Sequence, residues 1–189
     1  MERTAPEPAS PGIACATAAQ PKPMPRVDAI WADPVFQERL ARIGELESMR
    51  PFCGHGAEHL FAVARLMRIR ALEEGLELDR EVVYAAALLH DIGRADQYET
   101  GEPHEAAGER IARDILGRLP ERLRFSDAER AAILAAIRGH RGYSGRESLD
   151  DDLARLLYMC DKESRPCFCC AACAECNWPD EKKNLAIRG

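Results

Sequence analysis

The 189-residue chain reads as an all-α protein. Three observations predict this. No run of strand length alternates apolar and polar residues. Apolar residues recur instead at helical spacing, as in Val35, Phe36, Leu40, Ile43 and Leu46, or Leu60, Val63, Leu66, Met67 and Ile69. Capping signals punctuate these segments at Asp33-Pro34, Asp79, Ser126-Asp-Ala-Glu129 and Ser148-Leu-Asp-Asp151. The expected architecture is a bundle of roughly six helices without internal repeats.

Residues 1–29 are rich in Ala and Pro and poor in large apolar side chains, so they bury too little to offset ordering and are expected to form a disordered tail. Cys15 falls in it. Asp33 caps a first helix with Pro34 at its first position, and Pro51-Phe-Cys-Gly-His-Gly56 breaks the chain. A second helix is expected from Ala57 to Glu74, with Gly75 as its stop. The third starts from Asp79 and carries Tyr84-Ala-Ala-Ala-Leu-Leu-His90-Asp91-Ile-Gly93-Arg94. A loop containing Gly101 and Pro103 leads to a helix from His104 to Leu119, along which Ala107, Ile111, Ile115 and Leu116 share a side. The capping box at Ser126 opens a helix that ends near Gly139-His-Arg-Gly142. Ser148 to Asp151 opens the last, through Leu153, Leu156, Leu157 and Met159 to Asp161. The helical domain spans 30–165, and 166–189 is a cysteine-rich tail.

Of the chain, 46% is hydrophobic and 31% charged, which suits one domain with a real core. The net charge is −6, against any protein that holds long nucleic acid by neutralising phosphates. A small anionic substrate is compatible, because a metal supplies local positive charge. No stretch is long and apolar enough for a membrane span, and the acidic, Pro-containing N-terminus lacks the pattern of a signal peptide. A cytoplasmic location is expected. The eight cysteines then read as metal ligands or free thiols rather than disulfides.

The His90-Asp91 pair is the chemical focus. An apolar helix gains no packing from ending in an imidazole and a carboxylate, and a buried carboxylate must be paired or bound to a cation. His59, His104, His140 and Asp161 stand at helix ends or on core-facing helices. Alone, each has an ordinary explanation as a hydrogen-bonded core residue or a helix-end carboxylate.

Together, the order His59, His90-Asp91, Asp161 resembles the HD-domain metal-dependent phosphohydrolase superfamily. The local contexts are similar too: Glu58-His59-Leu-Phe-Ala-Val63, Ala87-Leu-Leu-His90-Asp91-Ile-Gly93-Arg94 (Arg94 standing where Lys is more usual) and Leu157-Tyr-Met-Cys-Asp161-Lys162. The similarity covers residues 50–165. It implies that His59, His90, Asp91 and Asp161 hold one metal. His104 and His140 resemble positions that hold a second in dinuclear relatives, with Asp91 as the bridge; Arg141 stands where some of those carry another His. Imidazole and carboxylate ligands suit Fe, Mn, Zn, Co or Ni. The implied activity is hydrolysis of a phosphate ester of a nucleotide or similar small metabolite. Asp91, Arg94 and Arg141 form the catalytic set, the two arginines facing the phosphoryl charge. Lys162 reads as a solvated surface cation. Two other readings stand beside this one. Some dinuclear iron members of the superfamily activate oxygen with a similar ligand set, and a sensor would use the fold merely to bind a nucleotide.

The tail carries Cys167-Phe-Cys169-Cys170-Ala-Ala-Cys173-Ala-Glu-Cys176-Asn-Trp178. Its spacing resembles the close-set run of bacterial iron–sulfur proteins and also suits structural zinc. HD-domain relatives with a similar tail match Cys167, Cys170 and Cys176, which implies Cys53 as the fourth ligand and leaves Cys169 and Cys173 over. Four ligands within the tail are the alternative. His55 reads either as a neighbour of the site or as an ordinary residue at a helix start, and Cys160 as a small buried side chain.

Overall fold

The computed structural model describes residues 22–142 and 151–187. Among them every regular element is a helix: α1 Pro25–Trp31, α2 Pro34–Glu47, α3 Ala57–Glu73, α4 Arg80–Leu89, α5 Arg94–Thr100, α6 His104–Arg118, α7 Asp127–Gly139 and α8 Asp152–Glu163, with three short 3-10 turns. No helix among these residues is long and apolar enough to cross a membrane.

The centre of the bundle is α4. Val82, Val83 and Ala85 to Leu89 are all buried, and α3, α7, α1 and α8 pack around it. Three consecutive alanines let neighbours approach closely from several sides at once. The helix is fixed at its start by Asp79, whose side chain accepts from the backbone N–H groups of Glu81 and Val82. Asp33 caps α2 in the same way, and Ser126 with Glu129 forms the expected capping box on α7. Gly75 stops α3 in the left-handed region at φ 69°. Asp151 caps α8; Ser148, the other expected start signal, lies outside the described residues.

Two short helices go beyond the expected set. α1 occupies 25–31, so the expected disordered boundary at residue 29 lies too late. Val27 and Ile30 are buried there, and Arg26 bonds Glu81, Glu129 and Asp79 while lying over the Phe125 ring. α5 occupies the segment expected as a loop after Gly93. It has one buried residue, Ala95, too little for an apolar period. It is held from outside by Arg39 and Arg110 on Asp96, and Gly101 ends it at φ 82°.

The third helix stops at Leu89 rather than at Gly93. His90 to Gly93 form a turn between α4 and α5. Gly93 is there because nothing larger fits: a Cβ would sit 2.3 Å from the His104 carbonyl oxygen and 2.4 Å from the Gly108 nitrogen. This contact brings the start of α6 onto the His90-Asp91 turn.

Candidate metal centre

Six predicted ligands converge. His59 comes from the first turn of α3, His90 and Asp91 from the end of α4, His104 from the start of α6, His140 from the C-cap of α7 and Asp161 from the last turn of α8. All but His59 are buried, and it is nearly so. Ligand atoms of His59, His90, Asp91 and Asp161 lie within 4.8 Å of one another, as do those of Asp91, His104 and His140.

Asp91 joins the two groups. Its Oδ2 lies 3.0 Å from His90 Nε2 and 3.4 Å from His59 Nε2. Its Oδ1 lies 3.3 Å from His104 Nε2 and 3.8 Å from His140 Nε2. The carboxylate therefore presents one oxygen to each group. Asp161 Oδ1 completes the first, 3.5 Å from His59 Nε2 and 3.8 Å from His90 Nε2.

The hydrogen bonds behind the rings fix which nitrogen faces inward. His90 Nδ1 donates to the Ala87 carbonyl at 2.7 Å, and His140 Nδ1 to the Ile137 carbonyl at 2.6 Å. His104 Nδ1 donates to Gln97 Oε1 at 2.8 Å. His59 Nδ1 meets the Ser164 hydroxyl at 3.2 Å. For the three rings that donate to carbonyl oxygens, the neutral tautomer leaves a lone pair on Nε2. His104 and His140 then aim two lone pairs at each other across 3.0 Å. Such an arrangement repels unless a cation or a shared proton lies between the nitrogens. Asp91 Oδ2 is buried with no hydrogen-bond partner, a further demand for a cation.

The electrostatics agree. Burial, reinforced by the Arg94 charge, pushes His104 down to about 3 against the pull of Asp91. Burial and His90 push His140 down to about 4. Both are neutral near pH 7, as ligation requires. Burial would also lower His90, yet Asp91 and Asp161 outweigh it and raise it to about 10. The two carboxylates, despite burial, are held well below the usual range by the imidazoles, and Asp91 by Arg94 as well. The first group thus calls for positive charge, and a divalent transition metal fits its donors.

The predicted cations divide. Arg94 Nε bonds Asp91 Oδ1 at 2.9 Å while its guanidinium reaches Gln97. Arg141 is 54% exposed, with Glu105 Oε2 at 4.0 Å. Both line a cavity of about 590 Å³ that opens onto Asp161 and His140. Lys162, read as a surface cation, lines it too, 3.5 Å from Asp161 Oδ2 and over the Tyr158 ring. Sequence reasoning also missed Arg50, Arg165 and Trp178, all on the cavity wall. Arg165 bonds Asp161 Oδ1 at 3.1 Å and lies over Trp178. An arginine in a loop looks like any surface arginine, and nothing in the sequence marks Arg50 or Arg165; Trp178 stood in the tail motif but carried no role at the cavity. His55 precedes α3 rather than extending it. It is buried against Glu47 and sets its ring edge-on to His59.

Cys53, Cys167, Cys170 and Cys176 line one small cavity, joined by Cys173, which the resemblance leaves over. Cys169 is exposed. Cys160 is fully buried, and burial pushes its thiol up to about 12.

The HD domain profile matches residues 56–165. An uncharacterized protein of Clostridium beijerinckii is 38% identical over 164 residues, which span 87% of this chain and 99% of that one. Ribonuclease Y of Sulfurovum is 28% identical over 62% of this chain, the match spanning just 20% of that protein. Among solved structures, a predicted HD superfamily hydrolase from an uncultured Thermotogales bacterium is similar, with 28% identity, a TM-score of 0.50 and coverage of 69% of this chain and 68% of that one. Seven-eighths of the chain thus aligns with nearly the whole of one relative, and the HD match over residues 56–165 holds all six converging side chains: this chain belongs to the HD-domain family.

Proposed function

We propose that the protein is a metal-dependent phosphohydrolase acting on the phosphate ester of a small metabolite, of the nucleotide class. One observation carries this reading. The protein is acidic overall, at −6. The cavity over its His/Asp centre is nonetheless walled by Arg50, Arg94, Arg141, Lys162, Arg165 and Lys182, against Asp161, Glu163 and Glu181. A cationic pocket on an acidic protein is built for an anion. Tyr158 and Trp178 give it aromatic walls that suit a nucleoside.

His59, His90, Asp91 and Asp161 would hold one divalent metal, with Fe, Mn, Zn, Co and Ni as the candidates. Asp91, His104 and His140 would hold a second. A bound metal supplies Lewis acidity and a water acidic enough to ionise near neutral pH. The protein's own groups do the rest. Arg94 fixes the bridging carboxylate, so that both Asp91 oxygens keep their directions. Arg141 and Lys162 both line the cavity and stabilise charge on the phosphoryl oxygens. Buried helix ends exclude bulk water from the ligand side, which strengthens every charge interaction there.

The test is phosphate release from a panel of nucleotides and other phosphate esters, with each candidate metal added in turn. Activity should appear with at least one metal and fall at least about 10³-fold in His90→Ala and in Asp91→Ala. Arg141→Ala should mainly raise KM. Undiminished release by Asp91→Ala would refute the proposal. Oxygen consumption with iron and no phosphate release would replace it with oxidation.

A further inference from the structure

A second constellation lies behind the wall of the pocket. Cys53 stands in the loop between α2 and α3. Cys167, Cys170, Cys173 and Cys176 stand in the turns after α8. The fold brings all five around one cavity, with Phe52 and Lys183. The tail is pinned in place by Asn184, whose amide donates to the carbonyls of Lys162, Glu163 and Arg165 at 2.8, 3.2 and 2.9 Å.

Three features point to an occupant. First, five thiols are gathered from segments over a hundred positions apart, without a disulfide among them. Half-buried thiols gain little from one another's company unless something binds them. Second, two cations attend them: Lys183, with its side chain 8% exposed, and Arg165. Third, Arg165 Nε is buried with no hydrogen-bond partner, and Arg165 shares a cavity with Cys53, Cys167 and Cys176. An orphaned donor beside thiols calls for an anionic sulfur acceptor.

The spacing selects the kind of occupant. One zinc ion with sulfurs at about 2.3 Å in a tetrahedron keeps them about 3.8 Å apart. Among the described residues, the groups whose ligand atoms lie within 4.8 Å of one another are the two His/Asp groups, and no trio of cysteines joins them. No three thiols stand as close together as one zinc ion would draw them, and a polynuclear cluster spans sulfurs set further apart. Four thiolates on a doubly charged cubane leave two negative charges, and Lys183 and Arg165 stand beside them, each also paired with a carboxylate, Asp180 and Asp161.

We propose that four of these five thiols, Cys53 among them, hold an iron–sulfur cluster, and that the cluster steadies Arg165 against Asp161. Ligation releases the thiol protons to solvent and clamps the tail to the loop before α3. Arg165 is then a positioning residue. One end of its side chain faces the cluster, Nη2 bonds a ligand of the metal centre, and Trp178 supports its guanidinium face. The second half of the proposal rests on the phosphohydrolase reading of the pocket; the first does not.

The experiment uses the full chain purified without oxygen. Iron, acid-labile sulfide and zinc are measured per chain with the visible charge-transfer absorption, for the native protein and for Cys53→Ser, Cys170→Ser and Cys169→Ser. Cluster iron and sulfide in matched amounts are expected in the native protein and in Cys169→Ser, and their loss in Cys53→Ser. The native protein alone decides whether a cluster exists, even if one variant fails to fold. Zinc in place of iron, or no metal on the thiols, would overturn the cluster. A full cluster in Cys53→Ser would overturn the cross-link. Titration of the His/Asp centre with Mn²⁺, a readout that needs no substrate, should show affinity about 10–100-fold weaker when the cluster is lost. Unchanged Mn²⁺ affinity in the cluster-free variant would overturn the coupling through Arg165, whatever the fate of the phosphohydrolase reading.

Discussion

The two groups of ligating side chains in this molecule are held in place by different means. The His/Asp centre takes its ligands from helix ends that close on a dry core, and each histidine ring is turned by a hydrogen bond from behind. The cysteine group takes one thiol from a loop and the others from turns, with few buried apolar side chains nearby. Core packing preorganises the first, so its geometry precedes any metal. The second has little but Asn184 to keep it closed, so binding of an occupant and local order there would be one event.

The harshest way to break this contrast is to disturb the backbone packing under the His/Asp centre. Gly93→Ala forces a Cβ into backbone atoms of α6, which cannot give way as a flexible side chain would. The α5–α6 junction must shift, at a cost of about 1–3 kcal/mol or more. His104 moves with it, so the second metal should be lost before the first. Thermal unfolding and metal content per chain check this, while thiol-bound metal should stay at the native level. An unchanged melting temperature with both metals retained would mean that the centre is less dependent on packing than its burial implies.

A milder change probes a ring from behind. Gln97 accepts from His104 Nδ1 and stands within reach of Arg94. Gln97→Ala leaves the fold and the first group intact but frees the His104 ring. Affinity at the Asp91–His104–His140 group should fall about 10–100-fold, with the other group unchanged. Isothermal titration with Mn²⁺ separates the two, and equal weakening of both would show that Asp91, rather than each ring, governs the pair.

Gln97 also marks where reading the sequence stops. The six converging side chains were legible because imidazoles and carboxylates are conspicuous at the ends of apolar helices, and because their order and contexts resemble a known pattern. The long helices were legible from their periods and caps. α1 and α5 were not: seven residues with one or two buried side chains carry no period, and ion pairs to distant segments hold them. The same holds for the side chains that support the site. Gln97, Ser164, Arg165 and Asn184 are ordinary polar residues until the fold places their partners. Lys162 is the instructive case, a lysine read as solvated that α8 turns into the cavity beside Asp161.

The smallest expected effect lies at the joint between the two regions. Glu47, its side chain 7% exposed, accepts from the His55 backbone N–H at 2.7 Å and from Tyr98 at 2.6 Å, and it pairs with the His55 ring. This lock fixes the loop that carries Cys53 next to the helix that carries His59. Burial alone would raise the Glu47 carboxyl, but His55 and Tyr98 lower it to about 2 from an ordinary 4.5. A carboxyl lowered in the folded state binds its proton more readily when unfolded. Its contribution is therefore complete above pH 4.5 and disappears as pH falls toward 2. Burial lowers His55 as well, so its unfolded form gains a proton first as pH drops below 6.5, and stability declines in the same direction. Glu47→Gln should cost about 2 kcal/mol at neutral pH. The gap from the native protein should narrow steadily between pH 4.5 and 2 in denaturant unfolding followed by helical circular dichroism. A gap that stays constant across that window would mean that the lock acts through shape alone, and that the charge on Glu47 does nothing to hold the Cys53 loop against the metal centre.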